Sequence, residues 1–316
     1  MAVNNPISKA LQNGRRQAKR VLYFRTQALR KRANALKRKP KTLLTKRAVS
    51  IDPRLLRNVG DSQTVGVLVA EGDSWFDYPL HDVLRMLEDL HAYEVDSVAH
   101  RGDRIEVMAY GDGQLEEFTR TLERLLRNGT VPRAILLSGG GNDVAGDEFG
   151  MLLNHAQSSV KGLNEQIVAG LIDQRIKIAY VTILSAITEV CKNRLDRRPA
   201  ILVHGYDYPV PDGRGFLGGW GFLPGPWLEP GFREKGFEQI PERIRLMKQL
   251  IDRFNVMLQT ITKIPDFSHV KYIDLRNTLS VGSDYKRFWA NELHPTERGF
   301  ELVTDRFATV LDSLPR

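Results

Sequence analysis

A short unbroken apolar run at residues 65–70 (VGVLVA), closed by a turn, constrains this chain more than any other feature. So short a segment with apolar side chains on both sides describes a β-strand buried on both faces. Such strands occur where helices cover a parallel sheet above and below. The pattern recurs. Residues 93–99, 134–137, 200–203 and 270–275 read as further strands, the run at 134–137 being entered from Pro132. Residues 80–90, 114–127, 241–263 and 296–314 carry helical periodicity, and helical stretches fill the chain after the third strand to about residue 195. Short apolar strands alternating with helices predict an α/β fold, a three-layer α/β/α sandwich with a mainly parallel five-stranded sheet. In such sheets ligands bind at the carboxyl ends of the strands.

The chain has 316 residues, more than the roughly 250 that one domain usually holds, so an appendage is expected. Charge locates it. Residues 1–57 hold 17 Lys or Arg and one acidic residue, Asp52, for a net +16, while the remainder nets −8. Residues 8–38 read as a helix, with Ser8 placed to cap it after Pro6 and Pro40 forcing a stop. Leu11, Ala18, Leu22, Leu29, Ala33 and Leu36 form a narrow apolar stripe on this basic rod. Residues 40–60 read as a linker. The expected organisation is a basic N-terminal helical arm at 1–58 and one domain at 59–316.

An amphipathic basic helix is expected to meet an anionic membrane surface. Nucleic acid is the alternative partner, because Tyr23 and Phe24 stand among the arginines, where they would stack on bases. A solvated tail is the third reading. The chain has no run of 18 apolar residues, and its first 16 residues contain no apolar h-region. The expectation is a cytoplasmic protein, or one exported by a route that needs no cleavable signal peptide. The single Cys191 excludes an internal disulfide, and its apolar setting predicts a buried thiol.

Residues 211–236 (PDGRGFLGGWGFLPGPWLEPGFREKG) break the strand–helix alternation with glycine, proline and aromatics. A long loop after the fourth strand belongs at the ligand-binding end of the sheet. It reads either as a lid or substrate wall, or as a loop whose Trp220, Phe222 and Trp227 pack onto the domain. His204, at the end of the fourth strand, reads either as a pocket residue or as a hydrogen-bonded structural histidine.

The strongest signals gather at strand ends. The first strand runs into Glu71-Gly72-Asp73-Ser74-Trp75, and the second is followed by Gly102. The third runs into Ser138-Gly139-Gly140-Gly141-Asn142-Asp143, and Asn291-Glu292-Leu293-His294-Pro295 precedes the last helix. The glycine triplet lacks the Gly-Lys-Ser/Thr continuation of a phosphate-binding loop. Together and in this order the four segments resemble the blocks of the SGNH (GDSL-like) hydrolases: Ser in GDS, a Gly, the Asn of GxND and a His before Pro. The resemblance spans residues 66–300.

It implies the flavodoxin-like SGNH fold and a carboxylic ester hydrolase, esterase or lipase, working through an acyl-enzyme without a cofactor. Ser74 is then the nucleophile and His294 the base. The implied oxyanion hole is the backbone N–H of Ser74, the backbone N–H of Gly102 and the side-chain amide of Asn142. The residue types suit the chemistry. A serine hydroxyl needs a neighbouring base, and an imidazole titrates near neutrality. An amide donor keeps its protons at every pH. Asp73 and Asp143 are expected to hold loop backbone. Asp73, Trp75, His204, Trp220, Phe222 and Trp227 are the candidate pocket residues. The other histidines show no metal-ligand spacing, so no metal is expected.

The sequence departs from the family pattern at one position. The family places Asp three residues before the His, and here that residue is Asn291. An Asp would orient the imidazole and stabilise the imidazolium, whereas Asn can only orient it. Three readings follow: a Ser–His dyad with the ring held by Asn291 or a carbonyl, a carboxylate recruited from Asp284 or Asp274, or a domain that binds without cutting. A carbohydrate O-deacetylase is the alternative enzyme. The inactive case would be an SGNH-fold binding module targeted by its basic arm. Oligomeric state, acyl group and leaving group are not legible in the sequence.

Overall fold

A computed structural model describes residues 27, 30–38, 64–111, 113–195, 197–218 and 223–315. The elements run β1 (Val67–Glu71), α1 (Val83–His91), β2 (Glu94–Ser97), α2 (Ile105–Tyr110), α3 (Gln114–Arg127), β3 (Ala134–Leu137), α4 (Lys177–Arg194), β4 (Ala200–His204), α5 (Ile240–Thr262), β5 (Val270–Ile273) and α6 (Glu297–Ser313). The strands form one five-stranded sheet in the order β2-β1-β3-β4-β5. β1 pairs parallel with β3, β3 with β4, and β4 with β5. Every residue of β1 and β3 is buried, as the apolar runs require of strands covered on both faces. The fold is the three-layer α/β/α sandwich.

The chain steps from β1 outward to β2, then returns to lay β3 on the other side of β1. That reversal is a topological switch point, where the loops leaving two adjacent strands diverge and leave a crevice. The loops concerned are the serine loop after β1 and the glycine–asparagine loop after β3. Their strand ends are in register, Glu71 opposite Leu137.

Two compact units divide the chain: Val67–Met86 with Val95–Arg316, and Met1–Gly66 with Leu87–Glu94. In the larger unit, α5 buries Leu246, Met247, Leu250, Phe254, Met257, Leu258 and Ile261 along one stripe. Each contributes roughly 1.5–3 kcal/mol. Thr296 caps α6, its hydroxyl accepting from the Gly299 N–H at 3.1 Å. α4 continues a helical run that begins at Glu165–Val168 and passes through a wide π-turn segment, Ala169–Ile176.

In the smaller unit, residues 30–38 are helical. Arg32, Ala35 and Leu36 are buried and Ala33 is exposed, so the stripe predicted through Ala33 is turned by part of a helical turn. The reason is electrostatic. The Arg32 guanidinium donates to Glu88 at 2.9 Å and faces Glu94 at 3.7 Å, and Lys31 reaches Asp89 at 3.0 Å. A buried guanidinium must be paired, and the pairing sets the helix's rotation. Residues 8–26 of the predicted helix and the boundary at 58 lie outside the described residues.

Two other expectations change. α1 starts at Val83 rather than 80, because Leu80 is left-handed (φ 78°) and Asp82 accepts from the Arg85 N–H at 2.8 Å. Residues expected to be helical between β3 and α4 include instead a two-residue hairpin, Leu153–Asn154 with Gly162–Leu163. Asn154 ties it by donating to the Val160 carbonyl at 2.8 Å. So short a hairpin leaves no periodicity in the sequence.

Gly140 combines a left-handed backbone (φ 95°) with a close neighbour, since a Cβ there would lie 2.6 Å from the Phe254 ring. Gly102 is left-handed too (φ 87°) but has open space around it. Gly102→Ala should therefore cost about 1–2 kcal/mol of backbone strain alone. Gly140→Ala should cost about 3 kcal/mol or more, because overlap adds to strain. Denaturant unfolding of the two variants checks the difference.

Candidate active site

The serine loop follows β1 as a tight turn held by its aspartate. The Asp73 carboxylate accepts from the Trp75 N–H at 3.0 Å, from the Ser138 hydroxyl at 2.8 Å, and from the Tyr206 hydroxyl. These bonds fix the turn that presents Ser74, which is partly exposed. Trp75 is buried and donates its indole N–H to the Leu293 carbonyl at 3.1 Å. That bond ties the serine loop to the histidine loop, 218 residues away in sequence.

The histidine loop is a turn organised by Asn291. Its Oδ1 accepts the backbone N–H of Leu293 at 3.0 Å and of His294 at 2.9 Å, and stands 3.0 Å from His294 Nδ1. Its amide nitrogen donates to the Tyr78 hydroxyl at 3.0 Å. Two backbone donors can only meet an oxygen, so the amide's orientation is determined. The oxygen in turn requires His294 to carry its proton on Nδ1. Nε2 is then a bare lone pair, and it lies 2.7 Å from Ser74 Oγ. Asp274 is paired with Arg276, and Asp284 is bonded to Ser280. Neither supplies a carboxylate to the ring.

Burial holds the His294 imidazole far below its ordinary value, down to about 3, with no anion beside it to oppose the effect. Tyr78 stacks on the ring (centroids 4.2 Å apart, planes at 18°), and Trp227 meets it edge-on at 5.5 Å.

Asn142 follows β3. Its amide nitrogen donates one hydrogen to the Asp103 carbonyl at 2.9 Å, which leaves the second free. That bond joins the asparagine loop to the turn that contains Gly102. The same turn is held to the serine loop, as His100 N–H donates to the Gly72 carbonyl at 3.0 Å and Arg101 N–H to Asp77 at 3.1 Å. Among the described residues the N–H groups of Ser74 and Gly102 donate to no other group. Asp143 caps α2, accepting from Ile105 N–H at 2.8 Å, and burial raises its carboxyl to about 6.

Ser74, Asn142 and Trp75 border one cavity with apolar walls from Leu228, Trp289 and α5. The serine, histidine and asparagine loops converge at the carboxyl end of the sheet. In fold and in motif order the chain resembles the SGNH hydrolases. Among solved structures, a variant of an acetyl-xylooligosaccharide esterase from Geobacillus stearothermophilus is similar at 13% identity, with 80% of this chain and 96% of that one covered and a TM-score of 0.45. A member of the lipolytic G-D-S-L family from Veillonella parvula is similar at 15% identity, covering 78% and 99% of the two chains, with a TM-score of 0.42. No family model and no curated protein matches the sequence.

The site differs from expectation in its outer members. His204 is fully buried behind Trp75, with rings 5.9 Å apart, and its Nδ1 lies 3.0 Å from the Gly205 carbonyl oxygen. It packs on Phe307 and does not line the cavity. Trp220 and Phe222 lie outside the described residues. No group of three or more His, Cys, Asp or Glu among the described residues is placed to hold a metal ion. Cys191 is buried, its thiol pushed up to about 11.

Sequence reasoning assigned no role to Tyr78 or Glu292. Glu292 is fully buried. Its carboxylate accepts four backbone N–H groups of the glycine-aromatic loop: Gly213 and Glu229 at 3.0 Å, Trp227 at 2.7 Å and Leu228 at 2.8 Å. Arg214 returns the connection, donating to the Trp289 and Ala290 carbonyls at 3.0 and 3.1 Å. The described part of this loop is thus stapled to the histidine turn. The only sequence signal was an acidic residue inside a motif, between Asn291 and an apolar Leu293. Glu292→Ala would leave four donors unmet and should cost roughly 3 kcal/mol or more. Faster proteolysis between residues 211 and 236, alongside a lowered unfolding midpoint, is the expected result.

Proposed function

We propose that the chain is a serine ester hydrolase in which a neutral asparagine replaces the charged member of the triad. The observation that supports this reading most is the line from Ser74 Oγ through His294 to Asn291 Oδ1, with spacings of 2.7 and 3.0 Å. An asparagine that turned its NH₂ to the ring would impose the wrong tautomer, a fault that costs about 10⁴ in rate elsewhere. Here the turn's own N–H groups keep the oxygen facing the ring.

In the mechanism, Ser74 Oγ attacks the ester carbonyl as its proton passes to His294 Nε2. The Ser74 and Gly102 N–H groups and the free hydrogen of Asn142 receive the oxyanion. The tetrahedral adduct collapses to the acyl-enzyme, and the alcohol leaves with the proton from His294. Water, deprotonated by His294, then releases the acid. Asn291 keeps the ring oriented but adds no charge to stabilise the imidazolium, and Tyr78 and Trp227 fix its plane.

Ser74→Ala and His294→Ala should each lower kcat/KM on p-nitrophenyl acetate by about 10³-fold or more, with folding intact. Ser74→Ala should also abolish labelling by a phosphonate probe. Asn291→Ala should cost less, roughly 10–100-fold, because it loosens orientation without removing the base. Full activity in Ser74→Ala would overturn the reading.

The base must be neutral to act. A pKa near 3 keeps it neutral across the mildly acid range. The pH profile of kcat/KM should therefore be flat down to about pH 5, well below the usual histidine limb near 6.5. Asn291→Asp places an anion beside the ring, favours the imidazolium and should move the acid limb upward. A wild-type limb near 6.5 would contradict the assignment of a desolvated, uncharged base.

We further propose that the arm binds an anionic membrane surface through its basic residues. Arg32, Ala35 and Leu36 are buried, so Leu36 is not available to a lipid. The segment to remove is therefore residues 1–29, which spares the Arg32 ion pairs. Full-length protein should bind phosphatidylserine vesicles, more weakly as salt rises, and the truncated protein should not. Preferential binding of single-stranded nucleic acid, lost linearly in log salt, would identify that polyanion instead.

A further inference from the structure

We infer that the cavity beside Ser74 is an acyl pocket for short saturated chains, holding about four carbons beyond the carbonyl, an inference that rests on the hydrolase reading above. Ser74 and Asn142 line the cavity together with Ile172, Met247, Leu250 and Phe254. Its volume is about 60 Å³ for a water-sized sphere. One water needs roughly 10–15 Å³ of such space, so the cavity has room for about four heavy atoms.

These apolar walls have little room to yield. Ile172 lies in the π-turn segment and is fully buried, and Met247, Leu250 and Phe254 are at most 3% exposed. Phe254 is already against the Gly140 backbone, where even a Cβ would overlap it. A chain longer than the cavity must therefore displace a packed helix side chain.

Polar acyl groups are disfavoured for a different reason. The carboxylates in the wall are already engaged. Asp73 holds Trp75, Ser138 and Tyr206, and Asp207 accepts the N–H groups of Tyr208, Asn277, Thr278 and Leu279 at 2.6–2.9 Å. A hydroxyl or amine on the acyl chain would lose its water and meet only carboxylates that already accept several bonds. His294 does not line the cavity. The alcohol takes its proton from that ring, so it departs on the other side of Ser74 and leaves the cavity to the acyl chain.

The test is a series of p-nitrophenyl esters from acetate to octanoate. Each methylene that fits should raise kcat/KM about fourfold up to butyrate or pentanoate. Octanoate should fall about tenfold or more below that maximum. Met247→Ala enlarges the cavity and should raise the octanoate-to-acetate ratio about tenfold or more. Ala145→Leu fills the cavity from its side wall and should lower the butyrate-to-acetate ratio by a similar factor. Unfolding midpoints confirm that both variants fold.

Equal rates on octanoate and butyrate in the wild type would overturn the pocket. So would ratios unmoved by both substitutions. In either case loss of acetate hydrolysis in Ser74→Ala would still support the hydrolase. Absence of hydrolysis on every ester, with no phosphonate label on Ser74, would overturn the hydrolase and the pocket together.

Discussion

The parallel pairing of β1 with β3 is the constraint on which the site depends. It brings two strand ends level, Glu71 opposite Leu137, at the place where the sheet order reverses. One strand delivers Ser74 and the other delivers Asn142, and the crevice between them borders the cavity. A shift of two residues in that register would carry the asparagine about 7 Å from the serine. Burial of both strands on both faces makes such a shift expensive, because every side chain involved is enclosed and all but Glu71 are apolar. The precision of the site is thus inherited from the core.

The histidine is not carried by the sheet, and its position is secured differently. Local hydrogen bonds shape the turn from within, three of them meeting at one Asn291 oxygen. The Trp75 indole and the Glu292 carboxylate then join that turn to the serine loop and to the glycine-aromatic loop. The carboxylate one residue after Asn291 is spent on ordering the loop, not on charging the imidazole. Desolvation goes unopposed as a result, and the ring is held neutral to low pH. A ring so placed is a weak proton acceptor, but it is uncharged over a wide pH range. That balance differs from a charged triad, in which the anion stabilises the imidazolium and raises its pKa.

Much of the frame was legible because its signals are local and periodic. α3 was predicted at 114–127 and is Gln114–Arg127, and the apolar runs at 134–137 and 200–203 are strands. Ser74, Asn142 and His294 were marked by short motifs whose order along the chain matched strand ends. The misreadings share a cause. α1 was started three residues early, the hairpin at Leu153–Asn154 was read as helix, and the arm's apolar stripe was drawn through Ala33, which is exposed. In each case a side-chain hydrogen bond of Asp82, Asn154 or Arg32 decided against the apolar pattern, the first two within the same turn or hairpin and the third to Glu88, 56 residues away.

What the sequence determined by itself is the class of fold, and it named the candidates for the site. Apolar runs too short for anything but buried strands leave few architectures, and a serine, a histidine and an asparagine in that order leave few chemistries. The charge separation between arm and body is likewise fully present in the sequence. Only the tertiary structure decided how those candidates are deployed. Whether Asn291 faces the ring with its oxygen or its nitrogen depends on two N–H groups and one tyrosine hydroxyl meeting it in space. The contrast between His204, walled in by aromatics, and His294, set against Ser74, arises from packing between residues far apart in the chain. Residue identity sets what a side chain can do, and the groups that surround it after folding set its protonation, orientation and access.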